Sequence, residues 1–381
     1  MALRRPLVLL LALAAAGCAS VPAAPSAPRP ARPAEAVVDT GTIAGAPYRI
    51  EIPAGWHGGL VMYAHGYEIA GTPFEPLAPR HAQFREAFTS RGFAFAQSWY
   101  RAQGWAVQEG IDDTEALRRH FIARYGAPDS TFVTGHSMGG LITVATIEGR
   151  PEAYEGALPL CAVLSPALEW GRTMFDLLVS FDYLYPGVLT TSPRGLVDLP
   201  AAPAPARDAI VAAVRADPER AEALARRYAL RGQSVPGLVW FFTTIYREMV
   251  ERAGGNPFDN RGTVYRGVGN DSASAHGVRR YAADPAAVEY LRTRYTPTGR
   301  IADPVFAVHT TYDATVPPEQ MDRYRTIAQL ARTEEHFAAA YVIADGHCNF
   351  TPAQVGAAFD ALRAWAATGH RPAEGELGEV R

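Results

Sequence analysis

Between Leu60 and Leu164 the chain repeats one unit: a short, nearly unbroken apolar run, then a stretch with helical spacing. The apolar runs are LVMYA (Leu60–Ala64), FAFAQSW (Phe93–Trp99), STFVT (Ser130–Thr134) and ALPLCAVL (Ala157–Leu164). Strands covered on both faces read this way, because neither face meets water. The helical stretches are Pro79–Arg91, stopped by Gly92; DDTEALRRHFIARYG from Asp112, with acids first, bases later and Gly126 at its end; and Leu141–Glu148. This alternation predicts an α/β fold, a mostly parallel doubly wound sheet with helices on both faces. A hairpin around Gly45 (Thr40–Pro53) precedes it. The rhythm resumes at PVFAVHTTYD from Pro304, with a helix from Pro318, a strand at Ala339–Ile343 and a final helix at Thr351–Thr368. Between 165 and 300 no core strand stands out. Asp208–Leu230 reads as two helices broken at Asp217-Pro218, Leu238–Arg252 as an aromatic-rich helix, and NPFDNRGTVYRGVGNDSAS as a loop. The expected organisation is a core at 37–164 and 301–369, a helical cap insertion at 165–300 and a tail at 370–381.

Composition narrows the chemistry. With 48% apolar and 20% charged residues the chain can bury a core, and a formal charge of -3 gives no footprint for nucleic acid. All 36 basic residues are arginine. Without lysine there is no Schiff-base chemistry, no Ser–Lys dyad and no phosphate loop ending in Gly-Lys-Ser/Thr.

The run TFVTGHSMGGLIT places Ser137 in a Gly-x-Ser-x-Gly between a strand and a helix. A serine at such a turn projects its oxygen from the carboxyl edge of the sheet, and Gly135 and Gly139 leave room for the bend. Ser234, in GQSVPG, has Pro236 where the second glycine belongs and no strand before it, so it reads as a loop serine. A serine hydroxyl needs a base, and the base needs an acid to orient it. In the order Ser, acid, His, the base follows a late strand. His347 does so in YVIADGHCNF, and Asp313 directly follows the strand in HTTYDATVPP. His336 and His370 read as solvated, His309 as a packing residue, and Asp345 as part of a turn. For an oxyanion, one donor is the backbone N–H of Met138 at the helix start and the other that of Tyr67 in MYAHGYE, with His65 bracing the loop.

Together His65-Gly66-Tyr67, GHSMGG, Asp313-x-x-Val316-Pro317 and Gly346-His347 resemble the α/β-hydrolase superfamily, from about Val37 to Gly369. The cap is covered by no motif. Met138 after the serine is similar to the esterase, lipase and thioesterase branches, whereas prolyl-oligopeptidase-like peptidases more often carry an aromatic there. Serine at position 137 speaks against dehalogenases and epoxide hydrolases. The resemblance implies a serine hydrolase cleaving carboxylic esters through an acyl-enzyme, with no cofactor or metal. No Cys or His cluster has zinc spacing, and DNRGTVYRGVGND lacks that of a calcium loop. The substrate expected is a small ester, apolar or aromatic if the cap's aromatics face it. An exported serine peptidase and a non-catalytic lipoprotein on a hydrolase scaffold are the alternatives.

The N-terminus, MALRRPLVLLLALAAAGCAS, has Arg4 and Arg5 before an apolar run too short to span a membrane as a mature helix. Its Ala-Ala-Gly-Cys ending resembles a bacterial lipoprotein signal, which implies cleavage of 1–17 and lipid on Cys18; an ordinary secretory signal is the alternative. Ala19 implies the outer membrane, with membrane contact through the anchor alone. The Pro/Ala-rich stretch 18–36 suits a tether. Export leaves Cys161 and Cys348 in an oxidising compartment, which invites one disulfide. Both should approach the sheet edge that carries Ser137, where a bridge would pin the His347 loop. Two separate buried thiols are the other reading.

Overall fold

The structure, a computed structural model, describes residues 33–73, 79–201, 203–231, 234–268 and 271–377. The signal segment, Cys18 and most of the tether lie outside the described residues. Nine strands form one sheet: β1 Val37–Ile43, β2 Ala46–Ile52, β3 Gly59–Ala64, β4 Ala94–Ser98, β5 Ser130–His136, β6 Gly156–Leu160, β7 Val305–Tyr312, β8 Phe337–Asp345 and β9 Gly375–Glu376. Their order is β1-β2-β4-β3-β5-β6-β7-β8-β9. β2 runs antiparallel to β1 and β4, and every later pairing is parallel. An antiparallel second strand, the β4–β3 exchange and a strand–turn–helix after β5 make this the α/β-hydrolase fold.

The helices are α1 Pro79–Thr89, α2 Val107–Tyr125, α3 Met138–Gly149, α4 Ala167–Leu184, α5 Arg207–Ala216, α6 Pro218–Arg227, α7 Val235–Ala253, α8 Asp271–Gly277, α9 Pro285–Arg294, α10 Gln320–Ala331 and α11 Pro352–Thr368. Alternate strand residues go to opposite faces. Val61, Tyr63, Phe132 and Phe306 join Phe88 of α1 and Phe359 of α11. Leu60, Met62, Val133 and Val305 meet Phe121 of α2, Val144 of α3 and Tyr324 of α10. A third cluster runs from Met138, Leu141 and Ile142 of α3 into Trp170, Phe175, Phe242 and Tyr246 of the segment between β6 and β7. That segment is helical, α4 to α9, with a 3₁₀ stretch at Gly195–Ala201.

Several elements differ from the sequence expectation, among them the expected loop NPFDNRGTVYRGVGNDSAS, whose end from Asp271 belongs to α8. α2 begins at Val107, five residues before Asp112. The acid pair that suits a helix start serves another purpose: buried Asp113 accepts from the Arg101 amide at 2.8 Å and its guanidinium at 2.5 Å, fixing the loop after β4. The strand expected over Ala157–Leu164 stops at Leu160, because Cys161 turns the chain with φ +42°. Ala162, Val163 and Leu164 stay buried beyond the strand. The expected tail is partly structural, since Gly375 and Glu376 pair with Ala340 and Tyr341 as the ninth strand. Ser234 is no loop residue but stands immediately before α7.

Candidate active site

β5 ends at His136 and α3 begins at Met138, so Ser137 alone makes the turn, with φ 58° and ψ −124°. A side chain pays roughly 1–3 kcal/mol for such backbone geometry. Close packing holds it there. A Cβ on Gly139 would lie 2.1 Å from the Ala64 carbonyl oxygen, and one on Gly135 2.4 Å from that of Gly139. Only hydrogen fits at either position. The Ser137 amide donates to the Leu160 carbonyl at 2.9 Å, which ties the turn to β6.

Three strand ends bring three side chains into line. His347 Nε2 lies 2.8 Å from Ser137 Oγ, and its Nδ1 lies 2.6 Å from Asp313 Oδ2. The other carboxylate oxygen, Oδ1, accepts the amides of Thr315 at 2.8 Å and Val316 at 3.0 Å, so Asp313 cannot swing away. Burial pushes Asp313 upward, but the hydrogen bond and charge of His347 and the Val316 amide outweigh it, leaving the carboxyl below its ordinary value. With no exposed side-chain surface on Asp313 and 27% on His347, the acid is sealed while the imidazole edge is reachable.

The His347 loop is fastened from three directions. The Gly346 amide donates to the Tyr312 carbonyl at 2.8 Å. Buried Thr310 donates its hydroxyl to the Gly346 carbonyl at 3.0 Å, joining the strand before Asp313 to the loop that carries His347. Cys348 is bonded to Cys161, with their Cα atoms 5.3 Å apart and 187 positions between them in the chain. Both cysteines have positive φ, +42° and +56°, at turns leaving β6 and β8. The thiols read as approaching one edge are therefore joined there. Thr310 carries no sequence signal for its clamp.

Other expected residues fall in defined places. His65 lies buried, its Nδ1 2.7 Å from the Gly66 carbonyl oxygen and its ring stacked on Tyr100 at 4.0 Å. Its carbonyl approaches Gly139 so closely that a Cβ there would sit 2.6 Å away. The backbone before Tyr67 therefore lies against the serine turn. Met138 is buried at the first position of α3, where an N–H has no partner within its helix. His309 is fully buried in β7, with burial lowering its pKa so that it stays neutral. Asp345 pairs with Arg231 at the surface. His336 lies in the 3₁₀ turn Glu334–His336 and His370 is exposed.

A cavity of about 270 Å³ opens at His347 and is lined by Ser234, Leu238 and Phe241 of the helical segment. A second, of about 320 Å³, shares Leu238, Tyr312, Ala314 and Thr315 with it and continues between Trp170, Met174 and Phe242. The two cavities adjoin at these shared residues. Among the described residues, the ligand atoms of Cys161, His347 and Cys348 lie within 4.8 Å of one another. Both sulfurs are used in the disulfide and both ring nitrogens by Ser137 and Asp313, so this group has no donor left for a metal ion.

No family model matches the chain, and no curated protein sequence matches it. A puromycin-hydrolysing peptidase of Mycobacterium tuberculosis is similar in structure at 13% identity and TM-score 0.46, over 90% of this chain and 41% of that one. An esterase/lipase from an uncultured bacterium is similar at 14% identity and TM-score 0.42, over 88% and 86% of the two chains. Est1E from Butyrivibrio proteoclasticus is similar at 12% identity and TM-score 0.42, over 87% and 98%. The chain spans about two fifths of the length of the puromycin hydrolases it matches.

Proposed function

We propose that this chain is a serine hydrolase of carboxylic esters. The observation that carries the reading is the unbroken hydrogen-bonded line from Ser137 through His347 to Asp313, with a cavity opening at His347. Ser137 Oγ attacks the ester carbonyl carbon as His347 Nε2 takes its proton. Asp313 keeps Nδ1–H in the useful tautomer and stabilises the imidazolium that forms. The backbone N–H groups of Met138 and Tyr67 hold the oxyanion, and the helix start at Met138 adds a favourable dipole. The tetrahedral species collapses, and His347 returns the proton to the departing alcohol. Water, deprotonated by His347, then attacks the acyl-enzyme and releases the acid and free serine. The acyl group lies in these cavities, past Leu238 toward Trp170 and Phe242, which favours apolar or aromatic acids of modest size.

Ser137→Ala should abolish both the burst with p-nitrophenyl esters and labelling by a fluorophosphonate, with the melting temperature nearly unchanged. A variant that keeps wild-type burst kinetics would falsify the reading. Matched ester and amide substrates separate the esterase from the peptidase alternative, and preference for the amide would overturn the ester assignment. Failure of the wild-type protein to react with the fluorophosphonate would favour a non-catalytic scaffold. Export and lipid attachment at Cys18 belong to the same proposal. Cys18→Ser should move the protein out of the detergent phase, and unchanged partitioning would favour an ordinary secretory signal.

A further inference from the structure

Tyr67, whose backbone is assigned above to the oxyanion, has a half-buried side chain packed against the third cluster and directed at α7. Its ring packs edge-on against Phe241 at 5.7 Å, and its hydroxyl donates to Glu248 Oε2 at 2.7 Å. Phe241 and Glu248 both belong to α7, seven residues and two turns apart, so they lie on one face of that helix. The Tyr67 ring is therefore held along α7 at two points, and Phe241 also lines the cavity at His347. Glu248 collects further donors. Its Oε1 accepts the Trp105 amide at 2.9 Å and Arg252 Nε at 3.0 Å. Arg252 continues to Glu109 at 3.2 Å and to the Gln103 carbonyl at 2.5 Å. Gly104 is packed so tightly on this carboxylate that a Cβ there would lie 1.4 Å from Oε1. Trp105 in turn stacks on Trp170, a wall of the second cavity, at 5.2 Å and 5°.

We infer that Glu248 is a positioning residue for catalysis, fixing the Tyr67 loop so that its N–H stays aimed at the oxyanion, and that α7 of the cap thereby completes the reaction centre. The inference rests on the serine-hydrolase reading above. Burial, then the charge of Glu248, raises the Tyr67 phenol far above its ordinary value, so the hydroxyl remains a donor. A donor shared between a partly buried carboxylate and a core loop is a strong, directional tether. Phe241 gives contact without direction. The carboxylate supplies the direction.

The test uses the whole protein with p-nitrophenyl acetate, whose acyl group is too short to sense the cap cavity. Tyr67→Phe should lower kcat about tenfold, a fraction of the roughly 10²–10³ lost when an oxyanion donor is removed, with KM little changed. Affinity for a trifluoromethyl ketone, whose hemiketal oxygen occupies the oxyanion position, should weaken in step with kcat/KM. Glu248→Ala should act at least as strongly. Glu248→Gln, which can still accept from Trp105 and donate to the Tyr67 oxygen, should recover most of the loss. The double variant Tyr67→Phe/Glu248→Ala should be no worse than Glu248→Ala alone. Unchanged kcat and ketone affinity in Tyr67→Phe, or losses confined to KM or melting temperature, would overturn the inference. If Glu248→Ala fails to fold, Tyr67→Phe and Glu248→Gln still decide it. Should Ser137→Ala lose the burst while Tyr67→Phe is indifferent, the Glu248 role alone falls; a burst surviving in Ser137→Ala removes the reading beneath it.

Discussion

In the sheet, Ser137 sits on a turn shaped by backbone contact at its two glycine neighbours, while Asp313 and His347 are held by side-chain bonds to main chain. In the cap, the irregular stretch after α7 is shaped by side chains instead. Buried Asn256 donates to the carbonyls of Phe258 and Ala282, at 2.7 and 3.1 Å. Buried Asn260 donates to Tyr265 and to the Arg279 carbonyl, and accepts the Tyr281 amide. The backbone-built turn at Ser137 tolerates almost no change, because a Cβ on Gly135 or Gly139 would meet main chain. Side-chain-built loops can be rewoven by exchanging their few anchors. Under the proposed function the lesson is a division of labour: the sheet would carry the reaction, the segment between β6 and β7 would shape what reaches it, and Glu248 would join the two.

The comparison can be broken first at the sheet. Asp313→Asn should lower kcat by about 10³–10⁴ through the wrong imidazole tautomer, with a small change in KM. Kinetics showing a mainly KM effect would move Asp313 from chemistry to binding. The same variant tests linkage. Asp313 ionises below its ordinary 3.8 in the folded protein, so the unfolded chain binds more protons across that interval. Its stabilisation is complete above the unfolded pKa and is lost as pH falls through the folded value. Wild-type stability should therefore fall more steeply than that of Asp313→Asn below about pH 4, as measured by denaturant titration. Parallel curves would disconnect the carboxylate from folding.

A middle-sized effect is expected at the disulfide. Closing a loop across 187 positions is worth about 5 kcal/mol in the chain-entropy model, and usually less in practice. Because Cys348 adjoins His347, reduction or Cys348→Ser should cut kcat several-fold under conditions where circular dichroism is still native. Thiol counting on the native protein checks the bond itself. Two free thiols would refute the bridge, and simultaneous loss of activity and structure would make it a fold staple only.

The smallest effect belongs to the cap. Leu238→Phe enlarges a side chain that lines both cavities. Octanoyl and benzoyl p-nitrophenyl esters should lose a few-fold in kcat/KM while the acetyl ester is unaffected. An equal loss on all three would place Leu238 in the chemistry rather than in selection.

How far the sequence could be read follows the same division. That Ser137, Asp313 and His347 come together was legible because each sits where a local pattern ends, at a strand terminus followed by a turn, and parallel strands bring such termini to one edge. Cys161 and Cys348 were legible as neighbours for the same reason. Glu248 was not, since its partner Tyr67 lies 181 residues away and a glutamate on a helix looks solvated. α2 was misplaced because Asp112-Asp113 carries the signature of a helix start, while the true start follows Ala106 with no side-chain cap. β9, two residues long, has no periodicity to read. The cap loops escaped because buried Asn256 and Asn260 resemble surface turn residues until their partners are seen.

The two ends of the cap are each closed by a single core side chain. Gln320 accepts the amides of Leu164 and Ser165, at 2.9 and 2.8 Å, where the chain leaves the sheet. Glu148 accepts the amides of Thr298 and Gly299, at 2.9 and 2.7 Å, along with the hydroxyls of Tyr295 and Tyr324, where it returns. Seams of this kind let an ancestral gene exchange one intervening segment for another without disturbing the strands on either side. What limits the exchange is the underside. Trp105, Leu141 and Ile142 share one buried apolar cluster with residues of α4 and α7. Any replacement must bring an equally apolar sole, so a graft can vary in its outer face but cannot leave the half that carries Ser137 bare.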